Sequence, residues 1–445
     1  MQSQPQRSIS QRDAITIIVG LVVGAGIFKT PSMVAGLAGD SGWILLTWLA
    51  GALISLAGAL CYAELSAAYP HAGGDYHFLA RAYGKNVSFL YAWAKATVIH
   101  PGSVALLAFV FGDFMSQVIR LGPYSSAIWA LAIVLMLTGV NVAGMRESAR
   151  MQRVLTVLEV LGLLAIVVAG FVVDRPQSPD PAFFSTQPSL GLLGLALVFV
   201  LLTFGGWSEA AYISAEVQGG PKAIVSAMVI SLGLITVVYG LVNMALLHGL
   251  GVQGLAQSKT PGSDLLAQAF GPWAHKAMGL FVAIAALTSI NATLIVGARS
   301  NYALGQDWRP LGFLGHWNAQ KGNPASAYLL QGLICIALIG FAGVQVDGFE
   351  AMVEFTAPVF WFFLLLVGLS VFLLRRKDGR AHRPFKVPLY PFTPLVFCAA
   401  CGYLGYSSLT YATSQSAVHV SLGVMAAGLL ALLVMRLKAR LPLKT

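Results

Sequence analysis

Charged side chains are scarce in this sequence. Asp, Glu, Lys and Arg make up 10% of its 445 residues, and only 17 are acidic. Soluble domains carry about 25% charged residues, and 17 acids are too few to solvate a globule of this size. That shortage excludes a cytosolic enzyme, a nucleic-acid-binding protein and a disordered scaffold. Cysteine is nearly as rare: Cys61, Cys335, Cys398 and Cys401 all fall in apolar stretches. Cys398 and Cys401 form a CxxC with no histidine or acid beside it, which reads as small-residue packing rather than a metal or redox pair. No glycine-rich phosphate loop is present, so ATP is not expected to drive the protein directly. Neither metal nor cofactor is expected. Strict apolar–polar alternation is also missing, which excludes a membrane β-barrel.

Apolar sequence is what remains. Residues of the hydrophobic class make up 57% of the chain. A membrane-crossing helix needs about 20 such residues in a row. Twelve runs qualify, at about 14–36, 41–66, 87–119, 127–142, 154–173, 190–216, 224–249, 273–299, 325–343, 349–374, 389–410 and 416–436. The first run follows a polar start and has no small-residue cleavage site, so no removable signal peptide is expected. Basic residues then set the orientation. With both termini in the cytoplasm, 21 of the 27 Lys and Arg fall in inner segments, while Arg120, Arg175, Lys259 and Lys276 fall outside and Lys29 and Lys95 lie within runs. The expected fold is an all-α polytopic protein of 12 transmembrane helices in the cell membrane. No extramembrane segment is long enough to fold alone, although 250–272 and 300–324 have room for short surface helices.

Two runs carry breaks. The first contains Gly24-Ala25-Gly26-Ile27-Phe28-Lys29, and the sixth contains Thr203-Phe204-Gly205-Gly206-Trp207-Ser208-Glu209. Each glycine costs about 1 kcal/mol in a helix, and unwound backbone at the midplane is tolerated only where it lines a cavity. Close helix packing is the plainer reading of such glycines. Their placement five runs apart instead fits a 5+5 inverted repeat: repeat one at about 14–173, repeat two at about 190–374, and two additional helices at 389–436, all in one transmembrane domain. Half-helix N-termini suit a carboxylate and half-helix C-termini an ammonium group. A zwitterionic amino acid carries both. Gly24, Ala25, Gly26 and Ile27 are expected to hold the carboxylate and the carbonyls around Thr203, Phe204 and Gly205 the amine, with Phe28, Phe204 and Trp207 as walls or gates.

Several stretches resemble a known group of carriers. GAGIF at Gly24–Phe28, Tyr62-Ala-Glu-Leu65, Pro70-His-Ala-Gly-Gly-Asp-Tyr76, Phe204-Gly-Gly-Trp207, Ala298-Arg-Ser-Asn-Tyr302 and Arg383-Pro-Phe-Lys-Val-Pro388 are similar to the amino acid–polyamine–organocation superfamily. His100-Pro101 with Ser103 and Ala105, together with the FGGW motif, most resembles its L-type amino acid transporter branch. The resemblance implies a leucine-transporter-like fold with broken helices 1 and 6, alternating access, a carboxylate site at Gly24–Gly26 and a gate near Phe204 and Trp207. Many relatives carry a lysine in the fifth span where this chain has Glu159. Eukaryotic L-type members bond a glycoprotein through a cysteine in the loop matching Arg120–Ser126; this chain has none there, so no disulfide-linked glycoprotein subunit is expected.

The few intramembrane charges form the remaining candidates. Lys29 and Glu209 each follow the second glycine of a break by three residues. They read either as a mutually neutralising pair or as a site where Glu209 receives a cationic substrate. Glu159 pairs with Arg150 or Arg153, or else faces the first span and Thr288 and Ser289 and takes part in coupling. Lys95 either snorkels or gates. The reading is a secondary amino acid transporter, an exchanger or ion-coupled symporter; the alternative is a polyamine or cationic amino acid carrier using Glu209. A membrane-embedded enzyme or receptor is disfavoured by scattered histidines and by the lack of an output domain.

Overall fold

The computed structural model describes residues 10–71, 73–144, 149–174, 182–209, 217–318, 323–345, 347–380 and 382–440, with side chains at all of these except 13, 17, 21, 149–156, 209, 221 and 438–440. Regular structure among the described residues is helical. In chain order the α-helices are α1 Gln11–Val22, α2 Thr30–Ala38, α3 Ser41–Ala68, α4 Gly74–Tyr83, α5 Lys85–Ala94, α6 His100–Val118, α7 Ser125–Ala143, α8 Ala149–Val172, α9 Leu190–Thr203, α10 Gly220–Gln257, α11 Pro261–Phe270, α12 Pro272–Asp307, α13 Ala325–Ala342, α14 Gly348–Lys377, α15 Phe392–Thr410 and α16 Gln415–Arg440.

Among the described residues, nine helices are long and apolar enough to cross a bilayer. The stretches 157–172 and 190–203 are apolar but shorter, and the first run is divided between α1 and α2. Helix ends follow local chemistry. Asp40 caps α3 by accepting from the Trp43 amide at 3.0 Å, as an N-terminal acceptor should. α5 and α6 join through a π turn at Lys95–Ile99. Pro101 lacks the N–H that would bond the carbonyl four residues back, and a widened turn absorbs that loss. The seventh run extends past its expected end at 249, but Gly251 interrupts α10 with φ 67°. Short helices occupy the two surface stretches with room for them, as α11 and as a 3-10 segment at Arg309–Gly315.

The chain divides into two compact units. The first is Met1–Tyr83, Thr156–Phe281 and Trp361–Tyr411; the second is Gly84–Leu155, Val282–Phe360 and Ala412–Thr445. In the first, α10 packs on α1, α2 and α3, and α9 packs on α2, α3 and α15. In the second, α7 and α13 pack on α6 and on each other, and α16 packs on α5. Leu429, Leu430, Leu433, Val434 and Leu437 line an exposed face of α16, a surface that water penalises and a bilayer accepts.

Candidate functional site

The first unit brings the two expected breaks together. α1 ends at Val22; Gly24 is extended (φ −123°, ψ −178°) and leads into a 3-10 turn at Ala25–Phe28 with no side-chain cap. Lys29 then sits at the N-cap of α2, with Pro31 in its first turn. α9 ends at Thr203, residues 204–206 form a turn, and Trp207–Glu209 make one 3-10 turn. Gly206 has φ 102°, a conformation that only glycine adopts without strain.

Three contacts join the breaks. The Thr30 and Thr203 hydroxyls lie 2.6 Å apart. Thr203 donates its own proton to the Phe199 carbonyl at 2.9 Å, so Thr30 is the donor between them. Gly26 lies against Thr203, where a β-carbon would sit 3.5 Å from its hydroxyl. Tyr239 of α10 donates to the Val22 carbonyl at 3.0 Å and lies 3.5 Å from that of Thr203. One hydroxyl therefore reaches the last carbonyl of α1 and the last carbonyl of α9. Its ring is fixed by Phe204 and Trp48, with centroids at 5.1 and 5.7 Å.

Burial sorts the expected site residues. Ala25, Ile27, Phe28, Lys29, Thr203, Phe204 and Trp207 are buried, whereas Gly24, Gly26, Gly205 and Gly206 are half-buried. The accessible surface at both breaks is therefore mainly glycine backbone. Phe28 packs edge-on to Phe281, and Trp207 packs edge-on to Tyr62 and Phe397. The side chain of Glu209 and those of Arg150 and Arg153 lie outside the described residues. Glu159 is buried on α8. Lys95, Thr288 and Ser289 belong to the second unit. There, the Lys95 ammonium sits 5.8 Å from the Tyr91 ring centroid and Thr288 bonds back to the Ile284 carbonyl.

Two further polar knots belong to the first unit. Glu64 takes Arg375 through two bonds of 2.7 and 2.5 Å, accepts from the Val387 amide at 2.6 Å and lies 3.6 Å from Arg383. Beside it, Asp378 accepts from Arg81 and Tyr69, each at 3.0 Å. Those two bonds hold the Asp378 carboxyl below its ordinary range. At Asp40, burial acts to raise the carboxyl. The Thr186 hydroxyl and the amides of Trp43, Thr186 and Phe184 outweigh it, and the net shift is downward. Among the described residues, no group of three His, Cys, Asp or Glu stands close enough to hold a metal ion.

Sequence comparison decides the family. A family model described as amino acid permease matches residues 9–432. The chain belongs to the amino acid permease family. It is therefore a multi-pass membrane transporter and not an enzyme. It is similar to the b(0,+)-type amino acid transporter 1 of Mus musculus, 29% identical over 400 residues that cover 88% of this chain and 80% of that protein. It is also similar to the serine/threonine exchanger SteT of Bacillus subtilis, 26% identical over 417 residues covering 92% and 93%. The cystine/glutamate transporter of Homo sapiens is 26% identical over 416 residues, covering 91% and 81%. In this permease the residues that sequence reasoning missed are Tyr239, Thr30 and Trp48. A tyrosine in an apolar span was the available signal, since a buried hydroxyl needs a partner.

Proposed function

We propose that this permease moves amino acids across the cell membrane by alternating access, with twelve crossings, cytoplasmic termini and an inverted pair of five-helix repeats. The substrate carboxylate binds backbone N–H groups at Gly24–Ile27, and its amine binds carbonyls around Thr203–Gly205. The observation that carries this reading is the pairing of the two breaks, whose accessible surface is glycine backbone. Backbone recognition of this kind selects the α-amino and α-carboxylate groups common to all amino acids. It leaves the choice of side chain to residues farther out.

A cation as deeply buried as Lys29, 1% exposed, requires a countercharge. We assign that role to Glu209, which follows the second break as Lys29 follows the first. No disulfide-linked subunit takes part in this reading, because Arg120–Ser126 lacks cysteine and all four thiols are buried.

Counterflow in proteoliposomes tests the proposal. Vesicles preloaded with an unlabelled amino acid mixture should take up members of a labelled amino acid panel faster than empty vesicles. Esters and N-acetyl derivatives of the same amino acids should fail to compete. Competition by those blocked derivatives as strong as by the free amino acids would refute the backbone site.

A further inference from the structure

The turn between α14 and α15 carries more positive charge than its surroundings neutralise. Arg375, Arg376, Lys377, Arg380, Arg383 and Lys386 crowd the stretch 375–386, and Asp378 is the only acid between Glu354 and the last residue. Glu64 reaches the turn from α3. Both carboxylates are occupied. Glu64 holds Arg375 and the Val387 amide, with Arg383 at 3.6 Å, and Asp378 holds Arg81 and Tyr69. Lys377 donates to the Ala82 carbonyl at 2.6 Å, and Arg383 to the carbonyls of Leu374 and Asp378 at 3.0 and 3.2 Å. Those bonds pin the turn to α3 and α4. Arg376, Arg380 and Lys386 stay exposed, and among the described residues no carboxylate forms an ion pair with them.

Exposed apolar surface begins where those cations end. Leu389 is 79% and Phe392 69% exposed, and Leu395 and Val396 continue the face of α15 that starts at Phe392. On α14, exposed Leu369 precedes Arg376 by seven residues and shares its face. The two helices adjoin here. The Phe372 and Tyr390 ring centroids lie 5.6 Å apart, and Gly368 lies against Phe397 and Cys398. The Arg375 guanidinium covers the Tyr390 ring at 3.7 Å. α15 has 19 residues, about 28 Å of helix, close to a hydrocarbon core of about 30 Å. Its first turn therefore meets the edge of that core, and Lys386 stands level with the headgroups.

Charge complementarity names the occupant. An anion answers the three unpaired cations, and acyl chains cover an apolar face that water penalises. Free phosphate offers only the first, and an apolar helix only the second. We propose that this turn binds an anionic phospholipid, its headgroup at Arg376, Arg380 and Lys386 and its chains along Leu389, Phe392 and Leu395. In the topology proposed above that lipid belongs to the cytoplasmic leaflet. The site does not depend on which amino acid is carried.

The test titrates the full chain in neutral detergent with phosphatidylglycerol, or with phosphatidylcholine as the control without net charge, and follows the melting temperature. A ligand that binds only the folded protein raises it. Phosphatidylglycerol should act at a lower mole fraction than phosphatidylcholine, and glycerol phosphate, which has the charge without the chains, should not act. A basic residue near an anionic surface contributes about a fivefold gain in affinity. Arg376→Gln, Arg380→Gln and Lys386→Gln should therefore each raise the half-saturating mole fraction about fivefold, and the triple variant should treat the two lipids alike. Melting without lipid should match wild type, because these side chains are exposed. Lys85→Gln removes an equal charge from an exposed position in 54–118, whose described residues include no exposed large apolar side chain, and should leave the titration unchanged. Should the triple variant fail to fold, the single variants decide. Half-saturation within about twofold of wild type in the triple variant, or in all three single variants, overturns the site. So does a shift in Lys85→Gln as large as theirs, which would make the effect one of net charge. Equal stabilisation by the two lipids, or stabilisation by glycerol phosphate, overturns an anionic phospholipid as the occupant.

Discussion

Replacing Tyr239 with phenylalanine isolates the hydroxyl that reaches both breaks. The ring stays, with its contacts to Phe204 at 5.1 Å and Trp48 at 5.7 Å, so packing is conserved and no cavity larger than one oxygen opens. What is lost is the bond to the Val22 carbonyl at 3.0 Å and the longer approach to Thr203 at 3.5 Å. The second is at the edge of hydrogen-bonding distance and contributes little. An orphaned buried acceptor costs about 1–3 kcal/mol in a soluble protein. Interhelical hydrogen bonds in membranes average about 0.6 and reach about 1.7 kcal/mol, because the alternative state also finds partners. The membrane values apply here, since a carbonyl at an unwound helix end is open to substitute donors. A loss of about 0.6–1.7 kcal/mol shifts a two-state equilibrium by about 3- to 18-fold. Counterflow measured from each side of the vesicle should therefore show the apparent affinity on one face weakened by that factor, with stability in detergent lowered by no more than about 1.7 kcal/mol. Affinities on both faces within about twofold of wild type would refute the idea that the hydroxyl holds the two breaks in one state.

Other substitutions separate the backbone site from the structure around it. Gly26→Ala places a methyl 3.5 Å from the Thr203 hydroxyl, an ordinary contact, so the protein should fold normally and yet lose at least about tenfold in transport as the methyl fills the gap between the breaks. Gly206→Ala instead forces a side chain to φ 102° and should lower stability by about 1–2 kcal/mol, read as a lower melting temperature. Glu64→Ala strands Arg375 and the Val387 amide. Buried pairs cost about 3–5 kcal/mol when one partner is removed, but Arg375 is 20% exposed, so we expect the lower end, about 3 kcal/mol, by thermal unfolding in detergent. Acid should act through Asp40, whose carboxyl is held below its ordinary value by hydrogen bonds that outweigh burial. A lowered folded-state value contributes stability that is complete above the unfolded value near 4 and is lost as pH falls through the folded one. Unfolding followed from pH 6 to pH 3 should be less acid-sensitive in Asp40→Asn than in wild type.

The parts of this permease that were legible in its sequence are those written locally. A run of apolar residues states its own solvent, and Gly24, Gly26, Gly205 and Gly206 state where a helix is weak, because neither fact depends on distant residues. Lys29 and Glu159 stood out for the same reason, since a charge within an apolar run is anomalous wherever the run sits. Tyr239 did not stand out. It lies 217 residues from Val22 and 36 from Thr203, and nothing in the stretch Thr236-Val-Val-Tyr-Gly tells which carbonyls its hydroxyl meets. Thr30 and Thr203, 173 residues apart, were equally silent as a pair. The expected run at 190–216 also shows the limit: the apolar helix stops at Thr203, because two consecutive glycines outweigh the hydrophobicity that follows them.

Breaking a helix inside a membrane exposes carbonyls and amides that no water satisfies, and each must find a partner or line a cavity. This permease divides those groups between two uses. Tyr239 takes the terminal carbonyl of α1, and Ser32 takes that of Lys29 at 2.8 Å. The Thr30–Thr203 bond closes the gap between α2 and α9. Those clamps satisfy the backbone on the buried side and hold the two breaks against each other. Gly24 at the N-cap supplies no side chain to the amides entering the turn at Ala25–Phe28, and in the proposed function these amides receive the substrate carboxylate. A side-chain cap there would stabilise the turn by about 1 kcal/mol and occupy the donors that a carboxylate needs. Supplying a cap is therefore a direct way to separate fold from function. Gly24→Ser, with an oxygen within reach of the amides two and three residues on, should raise thermal stability and weaken amino acid binding in the same protein. If it weakens both, the turn is structural and the carboxylate binds elsewhere.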